Sequence, residues 1–241
     1  MNSEKRVIAF VGAGGKTSAM YACAAKYAAA GKKVLIMTTT KMGLPGKREL
    51  LVTRPDPDGV SRVLDQYGIC VSGKSFQDGG VEKIGSWTET VMLRLSGEAD
   101  LVLLEADGAK RKSLKVPAGY EPVIPDWCTH LVILMGLSKL ACSCGEEVHR
   151  CRLMFDARER ITPDTYVRIL EEGYGTKLRQ AGEEALWKQK GNVWFLLNQA
   201  DDKAAYYAGM EIFSKLEQIL EVPYKTGILS LHRHKVWMLE E

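Results

Sequence analysis

The sequence predicts an α/β fold built on a doubly wound, mostly parallel sheet. Three observations predict it. Short apolar runs alternate with longer helical stretches along the whole chain. Those runs are continuously apolar, as strands covered on both faces require. The first unit reads strand, glycine loop, helix, strand, a connection that makes its two strands parallel.

The elements follow in order. Residues 7–11 are a β-rich apolar run closed by glycines, and predict a buried strand. Residues 17–30 are alanine-rich and lack Gly and Pro, which predicts a helix. Gly31 stands at its C′ position, with Lys32 and Lys33 beside the negative end of the dipole. Residues 34–38 predict the second strand. Residues 44–59 hold three prolines and several charges and read as surface loop. A short helix is expected at 60–67 and a short strand at 69–72. The polar, glycine-rich stretch 73–85 reads as loop, and 87–95 as helix. Residues 101–104 and 131–135 predict two further buried strands. Thr162-Pro163 is a helix start, with Thr162 as N-cap and Tyr166, Ile169 and Leu170 turned inward. A strand at 193–197, an amphipathic helix at 204–220 and a last strand at 224–229 complete the chain. The expected organisation is one domain over 1–241 with a small insertion around 136–190.

Bulk composition narrows the function classes. The chain has 241 residues, 46% of them hydrophobic, enough for a sizeable core. A net charge of +3 is too mild to point to nucleic acid as a partner. No stretch has the length of a membrane span, and the first residues lack the apolar core of a secretory leader. The expected compartment is the cytoplasm, so the six cysteines are expected as reduced thiols.

The glycine loop carries the strongest chemical signal. It reads Phe10-Val11-Gly12-Ala13-Gly14-Gly15-Lys16-Thr17. A phosphate chain needs inward backbone N–H groups with a helix N-terminus behind them, and side chains would block that approach. A lysine then reaches the outer phosphates and a hydroxyl holds Mg²⁺. Gly15-Lys16-Thr17 supplies these parts in order between a strand and a helix, so the fold is expected to be P-loop NTPase-like. Phe10 stands where the full consensus has its first glycine.

Other segments add to this site. The segment 100–109 contains the buried strand 101–104 and delivers Glu105 and Asp107 at its C-terminal end, where a Mg²⁺ partner sits in such folds. One is expected to complete the metal shell with Thr17, and the other to orient a water. Thr38-Thr39-Thr40-Lys41 closes the second strand at the same edge and suits phosphate or Mg²⁺-water contacts. Asn198-Gln199-Ala200-Asp201 is similar to the Asn-Lys-x-Asp signature of guanine-specific proteins. Guanine, adenine and a plain Asx turn all remain open for it. Lys110-Arg111-Lys112 and Lys115 are either a solvated charge run or an anion-binding loop for a second substrate. Cys142, Cys144, His149 and Cys151 cluster in sequence, but match no structural zinc spacing.

Taken jointly these motifs carry a family resemblance. Val11 to Ser18, Thr38 to Met42, Glu105 to Lys110, Tyr120 to Pro125, Val148-His149-Arg150 and Asn198 to Asp201 resemble the motifs of the YqeC-like selenium-dependent hydroxylase accessory proteins. The resemblance implies a bacterial cytoplasmic protein that helps the cofactor of selenium-dependent molybdenum hydroxylases mature. It adds His149 and Arg150 as site residues for a phosphate or a partner. Cys151 stands where the family pattern has proline, and Cys142 and Cys144 lie outside that pattern.

The expected function is therefore binding of Mg²⁺ with GTP or ATP, coupled to hydrolysis in an accessory step. The phosphate cradle would comprise Gly12, Ala13, Gly14, Gly15, Lys16, Thr17 and Ser18. Thr39, Thr40, Lys41, Asn198 and Asp201 would complete the nucleotide site, and Lys16, Glu105 and Asp107 would act on the reacting phosphate. The molybdenum hydroxylase or its cofactor precursor would be the second partner, at Lys110, Arg111, His149 and Arg150. Two alternatives stand beside this reading: a small-molecule kinase acting on a cofactor precursor, and a non-catalytic Cys/His carrier of selenium, sulfur or a metal.

Overall fold

A computed structural model describes residues 5–182, 185–189 and 192–240. Residues 1–4, which bear on the expected lack of a leader, and residues 183, 184 and 190 of the expected insertion lie outside that range. The strands are β1 (Arg6–Gly12), β2 (Val34–Thr38), β3 (Lys41–Gly43), β4 (Leu51–Val52), β5 (Ile69–Ser72), β6 (Lys74–Asp78), β7 (Val81–Gly85), β8 (Leu101–Glu105), β9 (Leu114–Lys115), β10 (His130–Gly136), β11 (Val148–His149), β12 (Val193–Asn198), β13 (Lys225–Ser230) and β14 (Lys235–Glu240). The helices are α1 (Lys16–Ala29), α2 (Pro57–Tyr67), α3 (Glu89–Ser96), α4 (Cys144–Glu147), α5 (Pro163–Arg168), α6 (Thr176–Gln180), α7 (Leu186–Gln189) and α8 (Lys203–Glu217).

Nine strands form one sheet in the order β14-β13-β12-β10-β1-β8-β2-β5-β4. Every neighbouring pair is parallel except β13 and β14. The central strands are apolar throughout because both faces are covered. Val7, Ala9 and Val11 of β1 face one core, with Val102 and Leu104 of β8. Phe10 faces the other, with Leu101 and Leu103 of β8 and Ala19, Met20 and Ala24 of α1. This alternation follows from the two-residue period of a strand. Phe10, the departure from the loop consensus, is thus a core side chain beneath α1, 4% exposed.

Strand order sets the place of the site. From β1 the chain runs to β2 on one side, returns through β8, and crosses to β10 on the other. The loops after β1 and β10 leave in opposite directions, and a crevice opens at the carboxyl ends of the strands there. The Gly12–Gly15 loop lies at this switch point. Gly12 pairs with Leu134 of β10, and β8 runs along the other side of β1.

The structure differs from the sequence reading in three stretches. Residues 73–85, expected as loop, form the β6–β7 hairpin, which pairs with β3 in a separate three-stranded antiparallel sheet. The Gly79-Gly80 pair, with φ of 60° and 78°, supplies the tight turn. Residues 44–59 contain the edge strand β4, and α2 starts at Pro57. β14 follows β13, so 224–229 is not the last strand; Trp237 Nε1 donates to the Ala200 carbonyl at 2.7 Å and ties β14 to the β12–α8 turn.

The segment between β10 and β12 packs on the main core rather than standing apart. Tyr166 and Ile169 are fully buried, Leu170 is nearly so, and the Tyr166 hydroxyl donates to the Gly136 carbonyl at 2.8 Å. Thr162 caps α5 in a capping box with Thr165.

The loop glycines are required by their surroundings. Gly12 and Gly14 have φ of +93° and +75°, and a Cβ on either would fall inside the backbone of β10, at Leu134 and Gly136. Gly31, with φ +77°, has open space around it. Gly31→Ala should therefore cost only the left-handed penalty, about 1–2 kcal/mol. Gly14→Ala adds overpacking and should cost about 3 kcal/mol or more. Urea unfolding of the two variants checks this; equal losses would contradict it.

Candidate functional site

The glycine loop does not present all its amides to a ligand. Gly12 N–H donates to Asp107 Oδ2 at 2.9 Å, Ala13 N–H to the Leu134 carbonyl at 2.7 Å, and Gly14 N–H to the Lys112 carbonyl at 3.1 Å. Gly12, Ala13 and Gly14 are buried. The amides of these three positions, expected in the phosphate cradle, bind the loop to β10 and to the segments after β8, while Ala13 and Gly14 also line the cleft beside Gly15. The start of α1 lies open on the cleft. Gly15, its N-cap at φ 113°, makes no side-chain cap, and no acid lies in the first turn. Lys16, Thr17 and Ser18 are the first residues of the helix, so their N–H groups lack intrahelical acceptors. A helix start without a capping side chain or acid is left to bind an external anion.

Behind the loop runs a chain of alternating charges. Lys16 Nζ lies 2.6 Å from the Gly12 carbonyl and 3.0 Å from Asp107 Oδ1. Asp107 Oδ2 lies 2.9 Å from Lys115 Nζ, which is 2.6 Å from Glu121 Oε2. Arg150 closes the chain on both oxygens of Glu121 and donates to the Tyr120 hydroxyl at 3.0 Å. Asp107 and Lys115 are wholly buried. Burial pushes the Glu121 carboxyl up, but hydrogen bonds from Arg150 and Lys115 outweigh it and hold the group below its usual range. Tyr174, also buried here, has its phenol raised well above the ordinary value by burial and then by the nearby Asp107 charge.

Two expectations are corrected by this chain. Lys115 is no solvated cation of an anion-binding loop; β9 carries it into the core, where two carboxylates neutralise it. Asp107 is not beside Glu105 at a metal position. Its backbone leaves β8 so that its carboxylate turns under the loop and is enclosed by an amide and two ammonium groups.

Glu105 is differently placed. The Thr17 hydroxyl donates to Glu105 Oε2 at 2.9 Å. Glu105 is 7% exposed and lies on the wall of the cleft. Burial raises its carboxyl above the usual range, against the lowering pull of Lys16 and of the Thr17 hydroxyl. A hydroxyl and a half-compensated carboxylate side by side form a donor set suited to a hard divalent cation that keeps most of its waters. These residues fit Mg²⁺.

The α1 start opens into a cleft of about 1310 Å³. Lys110, Arg111, Lys112, His149 and Arg150 line it, as do Lys41, Thr40 and residues of the β6–β7 hairpin. The predicted second-substrate residues and the helix start thus share one cavity. The Gly14–Lys112 hydrogen bond ties the basic loop to the glycine loop, and Lys110 and Arg111 are left-handed, with φ of 47° and 61°. His149 is held neutral: burial, then Arg150, Lys115 and Lys110, bring its pKa down to about 4. The hydroxyls after β2 divide. Thr39 donates to the Val123 carbonyl at 2.8 Å and is a structural tie. The Thr40 hydroxyl lies on the cleft wall, buried and without a protein partner. Lys41 lies 3.7 Å from Asp78, which also binds Lys83.

Asn198 does not face a base. Its Nδ2 donates to the Gly14 carbonyl at 2.8 Å and its Oδ1 accepts from Leu231 N–H at 3.1 Å, so both ends of the amide are engaged inside the fold. Asp201 accepts from the Ser230 hydroxyl and lines a smaller cavity of about 350 Å³, with Leu137, Leu140 and Ala204. This cavity shares Gln199 with the main cleft. The helix cap that the segment suggested belongs to Asp202, whose Oδ1 accepts from Ala205 N–H at 2.8 Å.

The cysteines give no support to the carrier alternative. Cys144 and Cys151 are buried, and burial pushes the Cys144 thiol up to about 11. Among the described residues no group of three or more His, Cys, Asp or Glu is placed to hold a metal ion. No described helix is long and apolar enough to cross a membrane.

Sequence reasoning missed Glu121 and Tyr174 as members of the site, and assigned Lys115 to the wrong environment. The available signal was chemical pairing: a lysine between apolar Leu114 and Val116 requires a buried acid.

Comparison with known proteins adds a family. The model of the family described as YqeC protein matches residues 8–152. A protein of Escherichia coli (strain K12), described as uncharacterized protein YqeC, is 30% identical over 224 residues, covering 90% of this chain and 86% of that protein. Among solved structures, a chain of the MinC:MinD cell division complex of Aquifex aeolicus aligns with a TM-score of 0.47 at 14% identity, over 92% of this chain and 80% of that one. The hydrogenase maturation factor HypB from Archaeoglobus fulgidus aligns with a TM-score of 0.46 at 13% identity, over 96% and 84%.

The raised Glu105 carboxyl sets a sign. The folded form keeps its proton to a higher pH than the unfolded chain, which ionises near pH 4.3. Its contribution to stability is full below that value and is lost as pH climbs through the folded pKa. Glu105→Gln removes this loss and keeps an acceptor for Thr17. Its Tm without ligand should exceed that of the unsubstituted protein at pH 7–8. The gain should vanish near pH 4. Thermal melts across pH check it; a lower Tm at every pH would contradict it.

Proposed function

The chain belongs to the YqeC family, and from that premise we propose that it binds a Mg²⁺–nucleoside triphosphate, with guanine preferred. The observation that carries the proposal is the open start of α1, flanked by Lys16 and by the Thr17–Glu105 pair on the wall of a large cleft. The N–H groups of Lys16, Thr17 and Ser18 would hold phosphate oxygens, with the helix dipole adding to their pull. The Lys16 ammonium, already aimed across the loop, would neutralise an outer phosphate. Thr17 and Glu105 would hold the metal, Thr17 by its hydroxyl. A divalent cation held there would supply positive charge to the phosphates.

Support for guanine comes from the smaller cavity. Leu137, Leu140 and Ala204 offer apolar walls to a planar base, and Asp201 keeps one carboxylate oxygen for the adjacent N–H donors on one edge of guanine. Adenine lacks that donor pair. Asn198 contributes indirectly by holding Gly14 in place. Hydrolysis would depend on positioning and charge stabilisation. The cellular role we infer is the one implied by the resemblance, an accessory step in the maturation of selenium-dependent molybdenum hydroxylases.

A thermal-shift comparison of GTP and ATP, each with Mg²⁺, tests the reading. Ligand at a hundred times Kd adds about 2.7 kcal/mol. The melt should rise by several degrees with GTP and less with ATP. Lys16→Ala and the cleft-exposed Thr17→Ala should each remove most of the shift while circular dichroism shows both folded. Equal stabilisation of Lys16→Ala and the unsubstituted protein would sink the proposal.

A further inference from the structure

We propose that the part of the cleft lined by Lys110, Arg111 and Arg150 is a second anion site that takes a phosphomonoester while the triphosphate lies at α1. The proposal rests on the nucleotide reading of the α1 start. Three observations carry it.

The first is size. Pockets for a single small ligand run to roughly 300–1,000 Å³. The cleft holds about 1310 Å³, and the cavity beside Asp201 adds a separate space of about 350 Å³. If the base takes the smaller cavity and the phosphates the α1 end, most of the larger one remains.

The second is charge. Seven Lys or Arg residues line the cleft against three Asp or Glu, a surplus of four positive charges. A triphosphate with its Mg²⁺ brings roughly −2. About two positive charges then remain, which matches the −1.5 to −2 that a phosphomonoester carries at neutral pH.

The third is the state of the cations. Lys110, Arg111 and Lys112 have no carboxylate partner among the described residues, whereas Lys41, Lys83 and Arg150 each have one. Lys110 and Arg111 hold successive left-handed conformations that cost non-glycine residues free energy. Strain of this kind persists where surrounding structure fixes it and clusters at ligand sites. Arg150 lines the same cleft, fixed by the Glu121 carboxylate and the Tyr120 hydroxyl, with its guanidinium over the Tyr120 ring at 5.4 Å. The fork of Arg150 is already taken by Glu121, so the unpaired Arg111 guanidinium, whose planar fork binds two oxygens at once, and the Lys110 ammonium supply the main grip on a phosphate.

The probe is inorganic phosphate, followed by ³¹P line broadening at millimolar concentration. It is added to the free full-length protein and to protein saturated with Mg²⁺ and a non-hydrolysable GTP analogue. The expected result is that phosphate still binds the analogue complex, and that Lys110→Ala/Arg111→Ala weakens this at least tenfold. Loss of phosphate binding once the analogue is bound would overturn the proposal, and so would an unchanged affinity in the double variant. If the analogue itself does not bind, the nucleotide reading fails and the free protein decides the second site. Phosphate binding there that survives Lys16→Ala but not Lys110→Ala/Arg111→Ala supports it; the reverse dependence overturns it.

Discussion

Asp107 carries a carboxylate with no contact with water, and the rest of the site is arranged around what that charge requires. An isolated buried carboxylate is among the costliest groups a fold can hold. Here the cost is offset from three sides, by the Gly12 amide, Lys16 and Lys115. The same contacts fix the glycine loop against the chain after β8, hold the Lys16 ammonium against the Gly12 carbonyl, and anchor the segment that carries Lys115. Through Lys115 and Glu121 the chain of charges reaches Arg150 on the cleft wall. One buried acid thus links the glycine loop to a cation that lines the cavity.

This arrangement explains a division of labour between two neighbouring carboxylates. Glu105 ends β8 beside Thr17 and is left partly uncompensated, as a metal position requires. Asp107, two residues on, would share that face if the strand continued. The strand stops at Glu105. The chain then turns beneath the loop, and Asp107 becomes structural. A similar division separates Thr39, bound to Val123, from Thr40, whose hydroxyl has no protein partner.

Much of the fold was legible because strand period and helix composition are local properties. The continuous apolar runs at β1, β2, β8, β10 and β12 mark a doubly covered sheet, and Thr162-Pro163 marks the start of α5. The β6–β7 hairpin was missed because its polar residues and glycines look like loop, although Gly79-Gly80 is a turn signal. The site was legible in position more than in detail. Gly15-Lys16-Thr17 marks the helix start from local chemistry. Which amides face a ligand depends on Leu134 and Lys112, which are distant in sequence. Lys115 reads as one more cation in a basic run until Asp107 and Glu121 are brought to it by tertiary packing.

The central claim is that the α1 start, and not the buried part of the glycine loop, grips the phosphates. A crystal structure with Mg²⁺ and a non-hydrolysable guanosine triphosphate analogue tests it most directly. The account predicts phosphate oxygens within hydrogen-bond distance of the Lys16, Thr17 and Ser18 amides, with the metal at Thr17 and the Gly12 amide still on Asp107. Phosphates seated only on Lys110, Arg111 and Lys112, with the α1 start bare, would contradict it.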